Sequence, residues 1–291
     1  MPASEGHSDL KDDLALALDL VREAGRIALE HFRRRPKWHR KADGTPVTEV
    51  DLAIDRTLRE ALLAARPGYG WLSEETADDA ARLTCRRVWV LDPLDGTGGY
   101  LRGEREFCTA LALVENGEPV LGIIHAPALE RTWTAAKGAG ARLNGEAIHV
   151  SRRTDLAGAR IIGPASVNRP ECWDDPWPEV TLFRPPSLAL RLAYVAAGEA
   201  DAMLAPGHKS EWDVAAGDII VREAGGLVTD ISGRPIRYNC SPPRPHGVIA
   251  GPPPLHAAIL ARLKGYHPPR HGHRCRHAHR RKAGTEKGER P

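Results

Sequence analysis

The chain has 291 residues, 42% of them apolar and 27% charged, enough to bury a sizeable core as one large domain or two tightly joined subdomains, and too apolar for a disordered protein. Its net charge of +3 comes from one end: residues 266–291 carry eight Lys/Arg against two Glu, so the first 265 residues sum to −3 and a generally basic, nucleic-acid-coating body is excluded. Five scattered cysteines without a C-x-x-C pair argue against a zinc site or a disulfide framework, and no apolar run reaches the length of a membrane span, so a reducing, cytoplasmic setting is expected.

In chain order, Leu14, Leu18, Val21, Gly25, Ala28 and Phe32 step by three and four, which predicts an amphipathic helix from Ser8 to about Arg35, with Pro36 beyond its end. Gly44 and Pro46 mark a turn. Thr48 and Asp51 then fit a capping box opening a second helix with Ile54, Leu58, Ala61 and Leu62 on its apolar face. Asp51 reads either as a first-turn acid complementing the helix dipole or as a functional group. Trp71 to Thr76 places Glu74 and Glu75 after a short apolar stretch, either in a solvated loop or with one acid turned inward to share a cation.

Val88 to Leu91 suits a buried strand, ended at Asp92-Pro93 because proline cannot donate to the ladder. Asp92 and Asp95 are thus delivered at the end of a rigid element, ahead of a Gly-Thr-Gly-Gly stretch with free backbone N–H groups. Two carboxylates and the carbonyl of Leu94 are hard oxygen ligands of the kind Mg²⁺ prefers, and the N–H groups beside them can hold a phosphate oxygen. Phe107–Val114 and Val120–Ala126, joined through Asn116-Gly117, predict a hairpin; Arg131–Ala136 and Ala147–Val150 predict further strands of one meander. The first half therefore reads as α+β.

A Pro- and Trp-rich shift at Ser151–Pro186 marks a subdomain junction. Beyond it a helix over 187–198, a strand over 201–205, a helix over 214–224 with Asp213 as its N-cap, and a strand over 227–230 read as an α/β layer. The expected organisation is an α+β subdomain over 8–150, an α/β subdomain over 151–265, and a disordered basic tail over 266–291, where His271, His273, His277 and His279 read as solvated in preference to the alternative of weak metal binding.

L-D-P-L-D-G-T (Leu91 to Thr97), E-W-D-V-A-A-G (Glu211 to Gly217), S-E-E (Ser73 to Glu75) and V-T-E-V-D (Val47 to Asp51) resemble, in order and spacing, the motifs of the inositol monophosphatase superfamily. The resemblance spans about Ser8 to Ile249 and implies the layered α-β-α-β-α sugar-phosphatase sandwich and a Mg²⁺-dependent phosphoric monoester hydrolase. By position it implies Glu75, Asp92 and the Leu94 carbonyl as ligands of one Mg²⁺ and Asp92, Asp95 and Asp213 as ligands of a second, with a third, weaker Mg²⁺ near Glu75. It gives Asp51 and Thr97, with Glu75 close by, the orienting of the attacking water, and the N–H groups of Gly96 and Thr97 the binding of phosphate. Glu104–Phe107 and Pro119–Pro127 look like CysQ-type 3′(2′),5′-bisphosphate nucleotidases, whereas Leu143–Ile148 is closer to inositol monophosphatases and histidinol-phosphatase relatives. Arg184-Pro185-Pro186 departs from both patterns; Arg184 and Arg191, flanking it, are candidates for a second substrate phosphate or for capping and solvation of the following helix. A small phosphate ester is the expected partner and a homodimer is compatible with the resemblance. A non-enzymatic nucleic-acid binder using the basic tail is the remote alternative, because no aromatic residues interleave the tail charge.

Overall fold

The computed structural model of the chain describes residues 5–267. It opens with α1 (Glu5–His31), a small hairpin of β1 (Trp38–Arg40) and β2 (Pro46–Thr48), and α2 (Glu49–Ala65). The first helix stops at His31 rather than at Arg35. Arg33 and Arg35 take left-handed backbone angles (φ 63° and 54°), which a right-handed helix does not continue. The second helix starts where its pattern predicts: the Thr48 hydroxyl accepts from the backbone of Val50 and Asp51, and the Asp51 carboxylate accepts from the Thr48 N–H.

A seven-stranded sheet follows in sequence order, β3 (Gly70–Ser73), β4 (Arg87–Asp95), β5 (Cys108–Glu115), β6 (Glu118–Ala126), β7 (Arg131–Ala136), β8 (Ala141–Leu143) and β9 (Glu146–Ala147). Only β3 and β4 run parallel; the rest is an antiparallel meander. Between β4 and β5 sits one short helix, α3 (Thr97–Leu101). The last strand, expected over 147–150, is cut to Glu146–Ala147. The chain leaves the sheet there, and the Val150 N–H donates to the carbonyl of Ala224 at 3.0 Å instead.

The second sheet has the order β11 (Thr181–Phe183), β10 (Arg160–Ile162), β12 (Ala202–His208), β14 (His246–Gly251) and β13 (Leu227–Thr229), with β10 parallel to both its neighbours. Helices α4 (Leu188–Ala196) and α5 (Glu211–Glu223) lie between the sheets, and α6 (Pro253–Leu263) covers the far face. Alternation along β4 shows how the layers are held. Trp89 and Leu91 pack with α1 and α2, while Val88 and Val90 join the cluster of α4, α5 and the second sheet. Leu188 to Ala196 is apolar enough around its circumference to be buried on both sides, apart from Arg191. At Gly122 of β6 a Cβ would come within 2.5 Å of the Ala216 carbonyl, so this glycine lets α5 lie directly on the sheet. The layers are α-β-α-β-α, the sandwich the motifs imply.

Most of the expected tail lies outside the described residues. Its first two residues do not behave as solvated chain: the Tyr266 ring lies 4.7 Å from that of Trp173, and His267 Nε2 is 2.6 Å from the Asp174 carboxylate. An aromatic ring with an aromatic neighbour docks even where the following sequence offers nothing to bury. Among the described residues no helix is long and apolar enough to cross a membrane.

Candidate active site

The carboxylates come from four segments that meet at the ends of β3 and β4. Asp92, 2% exposed, is fixed by the Leu94 N–H donating to its Oδ1 at 3.1 Å, and Thr109 Oγ1 donates to the Pro93 carbonyl at 2.8 Å. Asp95 reaches across to the start of α4, where its Oδ2 accepts from Ser187 Oγ at 2.7 Å and the Ala189 N–H at 2.6 Å. Asp213 stands at the third position of α5. The helix is capped by Ser210, not by Asp213 as expected; Asp213 Oδ2 returns to the Ser210 N–H at 3.0 Å, because a carboxylate at that position reaches back better than it caps forward. Asp51 Oδ1 and the carbonyl of Leu94 both lie within reach of Thr97 Oγ1, at 3.0 and 2.8 Å, so Asp51 and Thr97 form a connected pair.

Glu74 and Glu75 share the ammonium of Lys41, which reaches over from the β1–β2 turn to 2.6 Å from each. Burial pulls Lys41 down, but hydrogen bonds to the two glutamates prevail and raise it. The sequence leaves open which of Glu74 and Glu75 turns inward, and the family resemblance assigns the ligand role to Glu75. Ser73 pairs with Leu91 in the parallel ladder, so Glu74 emerges level with Asp92, its N–H donating to the Leu91 carbonyl at 3.2 Å. Its charge is felt at Asp51, Asp92, Asp95 and Asp213. The signal was present in the sequence as the first acid after an apolar strand end.

Burial, followed by mutual repulsion, drives the group upward in pKa. Asp95 is raised to about 6, Asp213 and Glu75 to about 7, and Asp92 well above the ordinary carboxylate range. Hard oxygen donors concentrated beyond what Lys41 can neutralise fit a divalent cation such as Mg²⁺. Among the described residues no group of three His, Cys, Asp or Glu side chains is placed as it stands to hold a metal ion; Asp92, Asp95 and Asp213 are each hydrogen-bonded to the protein donors above.

Gly96 turns the chain with φ 95°, and a Cβ there would meet the Glu106 carbonyl at 3.0 Å, so only glycine suits this corner. No side chain caps the turn that begins with Thr97. Arg191 is held by the backbone carbonyls of Pro185 at 2.7 Å and Pro186 at 3.4 Å, which fixes its guanidinium beside the start of α4. Burial lowers Arg191, and the charges of Asp95, Arg184 and Asp213 all act on it. Lys209, absent from the sequence reading, lies between the fields of Asp213 and Arg191, its ammonium donating to the Pro206, Gly207 and His208 carbonyls at 3.1–3.2 Å. Arg184, Arg191 and Lys209 therefore form a cationic rim beside the acidic centre.

The model of the inositol monophosphatase family matches residues 9–267. The chain belongs to that family. Members of the inositol monophosphatase family are phosphoric monoester hydrolases and generally depend on Mg²⁺. The relatives are functionally mixed. The Nus factor SuhB of Xylella fastidiosa is 39% identical over 77% of this chain and 83% of its own length. The histidinol-phosphatase of Mycobacterium tuberculosis is 34% identical over 87% and 98%, and the 3′(2′),5′-bisphosphate nucleotidase CysQ of Aggregatibacter actinomycetemcomitans 31% identical over 76% and 86%. Among solved structures an IMPase of Thermotoga maritima superimposes with a TM-score of 0.76 at 32% identity, covering 87% of this chain and 97% of that one.

Proposed function

We propose that the protein is a Mg²⁺-dependent phosphomonoesterase whose preferred substrate carries a second anionic group, as adenosine 3′,5′-bisphosphate does. The observation that carries the reading is the burial of Asp92 among Asp51, Asp95, Asp213 and Glu74, an arrangement whose repulsion calls for cations. Glu74, Glu75, Asp92, Asp95, Asp213 and the Leu94 carbonyl would hold two or three Mg²⁺. When bound, the ions supply an acidified water and charge stabilisation for the in-line displacement.

The protein's own groups do the remaining work. Thr97 Oγ1, placed by Asp51, orients the water that attacks phosphorus, and Asp51 is positioned to hold its proton. The N–H groups of Gly96 and Thr97 would receive the phosphate oxygens. The water oxygen bonds to phosphorus as the ester P–O bond breaks, the departing 3′-oxygen takes up the proton that the water gave up and becomes the hydroxyl of AMP, and inorganic phosphate is released.

The choice of substrate rests on the rim of Arg184, Arg191 and Lys209. A second phosphate has a use for three cations; a neutral inositol ring does not. The histidinol-phosphatase relative aligns over more of the chain than the nucleotidase does, which makes histidinol phosphate the second reading. Its ammonium group would, however, face like charge at this rim. The test is kcat/KM with Mg²⁺ on adenosine 3′,5′-bisphosphate, inositol 1-phosphate and histidinol phosphate. A preference of about tenfold for the bisphosphate, a difference of ~1.4 kcal/mol, supports the assignment, and the same margin for either other substrate overturns it.

A further inference from the structure

A second cavity, of about 350 Å³, lies under the strap that joins β13 to β14, and none of the carboxylates of the active site lines it. Arg234, Arg237, Arg244 and His246 stand around it, with Ile236 and prolines supplying apolar wall. Two acids also line it, and both are spent. Asp230 accepts from the Ser232 and Arg234 N–H groups and pairs with the Arg234 guanidinium at 3.0 Å. Glu211, fully buried, accepts from the backbone N–H groups of Asn239 at 2.7 Å and Cys240 at 2.9 Å. Arg237 has only a loose, exposed contact with Glu118 at 3.4 Å, and Arg244 makes no ion pair among the described residues. Arg244 is left at the hollow without a counter-charge, and Arg237 is held only by that outer contact.

The strap that carries them is not a free loop. Arg82, 2% exposed, donates to Asn239 Oδ1 at 2.7 Å and the Cys240 carbonyl at 2.8 Å, and the Asn239 amide returns to the Arg82 carbonyl at 3.0 Å. The cavity wall is thus pre-formed, so a ligand need not order it. Its volume exceeds what a bare phosphate fills and lies within the range of small-molecule sites.

We propose that this cavity binds a nucleoside monophosphate, with the phosphate on Arg237 and Arg244 and the base against Ile236 and the neighbouring prolines. A guanidinium pair suits a phosphate dianion, and a flat apolar body suits the wall. The site is independent of the substrate reading above, since it shares no residue with the catalytic centre.

Cys240 lines the cavity and is half-buried, so its alkylation reports occupancy locally. Cys85, also half-buried but outside the cavity, is the internal reference. The full chain is treated with EDTA, incubated with AMP, and reacted with N-ethylmaleimide, and modification is read peptide by peptide. AMP at about ten times its Kd is expected to slow labelling of Cys240 by about tenfold and to leave Cys85 unchanged. Arg237→Gln/Arg244→Gln is expected to abolish the protection and keep kcat/KM. Equal protection by adenosine overturns the role of the arginines, and equal protection by inorganic phosphate overturns recognition of the base. Titration calorimetry with AMP on the same metal-free protein decides independently of thiol reactivity: heat lost in the double variant supports the site, and no heat with the wild type overturns it.

Discussion

Without divalent cation, the protein should become less stable as pH rises, the reverse of the usual acid-side loss. The groups responsible are Asp95, raised from 3.8 to about 6, Asp213, raised from 3.8 to about 7, and Glu75, raised from 4.5 to about 7, in each case by burial first. A carboxyl whose folded pKa lies above its unfolded value takes up protons on folding. Its contribution is fully present below pH ~4 and is lost as pH climbs through 6 to 7. One unit is worth ~1.4 kcal/mol, so three groups shifted two to three units set a ceiling of roughly 10 kcal/mol. The groups share one repulsion and are partly wetted, which brings the working figure to about 3 kcal/mol. At ~2–4 °C per kcal/mol for a domain of this size, the Tm in EDTA should drop by about 6–12 °C between pH 5 and pH 8. Saturating Mg²⁺ should remove most of that drop, because cations replace protons among the carboxylates. The assay is thermal unfolding followed by circular dichroism across pH, with EDTA or with MgCl₂. A flat or rising profile in EDTA, or the same fall with and without Mg²⁺, would refute the account of the site as a cluster of mutually repelling acids.

Asp92→Asn should reduce kcat by at least about 10³-fold, ~4 kcal/mol of lost charge stabilisation, while the metal-free protein becomes no less stable; steady-state kinetics beside thermal melts check both. Lys41→Gln removes a tethered cation from Glu74 and Glu75, so the Mg²⁺ concentration for half-maximal activity should fall about fivefold, the worth of a half-buried ion pair of ~1 kcal/mol. An unchanged or higher requirement would show that Lys41 does not compete with the ion. Deletion after His267 should leave kcat/KM and Tm nearly unchanged, whereas deletion after Gly265 should lower Tm by a few degrees, because it removes the Tyr266 ring from Trp173 and costs ~1 kcal/mol.

The sequence was most legible where one physical signal dominated. The run from Val88 to Leu91 located β4, and the S/T-x-x-D spacing located α2 with its capping box. However, β4 does not end at Pro93 as expected: it runs on to Asp95, its register on β5 shifting between Asp92 and Asp95 so that the missing proline N–H falls at the irregularity. It was least legible between 151 and 186. There β10 and β11 are three residues each, too short for alternation to register, and they exist because tertiary pairing supplies the neighbours. The strand β14 and helix α6 went unread for a related reason: four of the six residues of His246–Gly251 are glycine, alanine or histidine, and α6 begins on a proline pair that looks like a loop. At the site, the spacing of acids gave the residues but not which of two adjacent glutamates lies beside Asp92. That depends on the register of Ser73 on Leu91, a relation between strands that one strand alone does not contain. Lys209 and Lys41 were missed because a single lysine has no pattern.

The helical layer of α4 and α5 lies against both sheets at once, and one cluster of buried side chains runs from Val88 and Val90 through Leu192 and Ile220 to Met203 and Val248. This fixes the order of events during translation. Asp51, Asp92 and Asp95 leave the ribosome early, yet the face of the sheet that positions them stays bare until α4 and α5 have emerged. Asp213 arrives on the very helix that closes that face. A nascent chain halted at the middle would hold most of the acids and lack the means to gather them, so metal affinity should appear late and in a single step as synthesis proceeds.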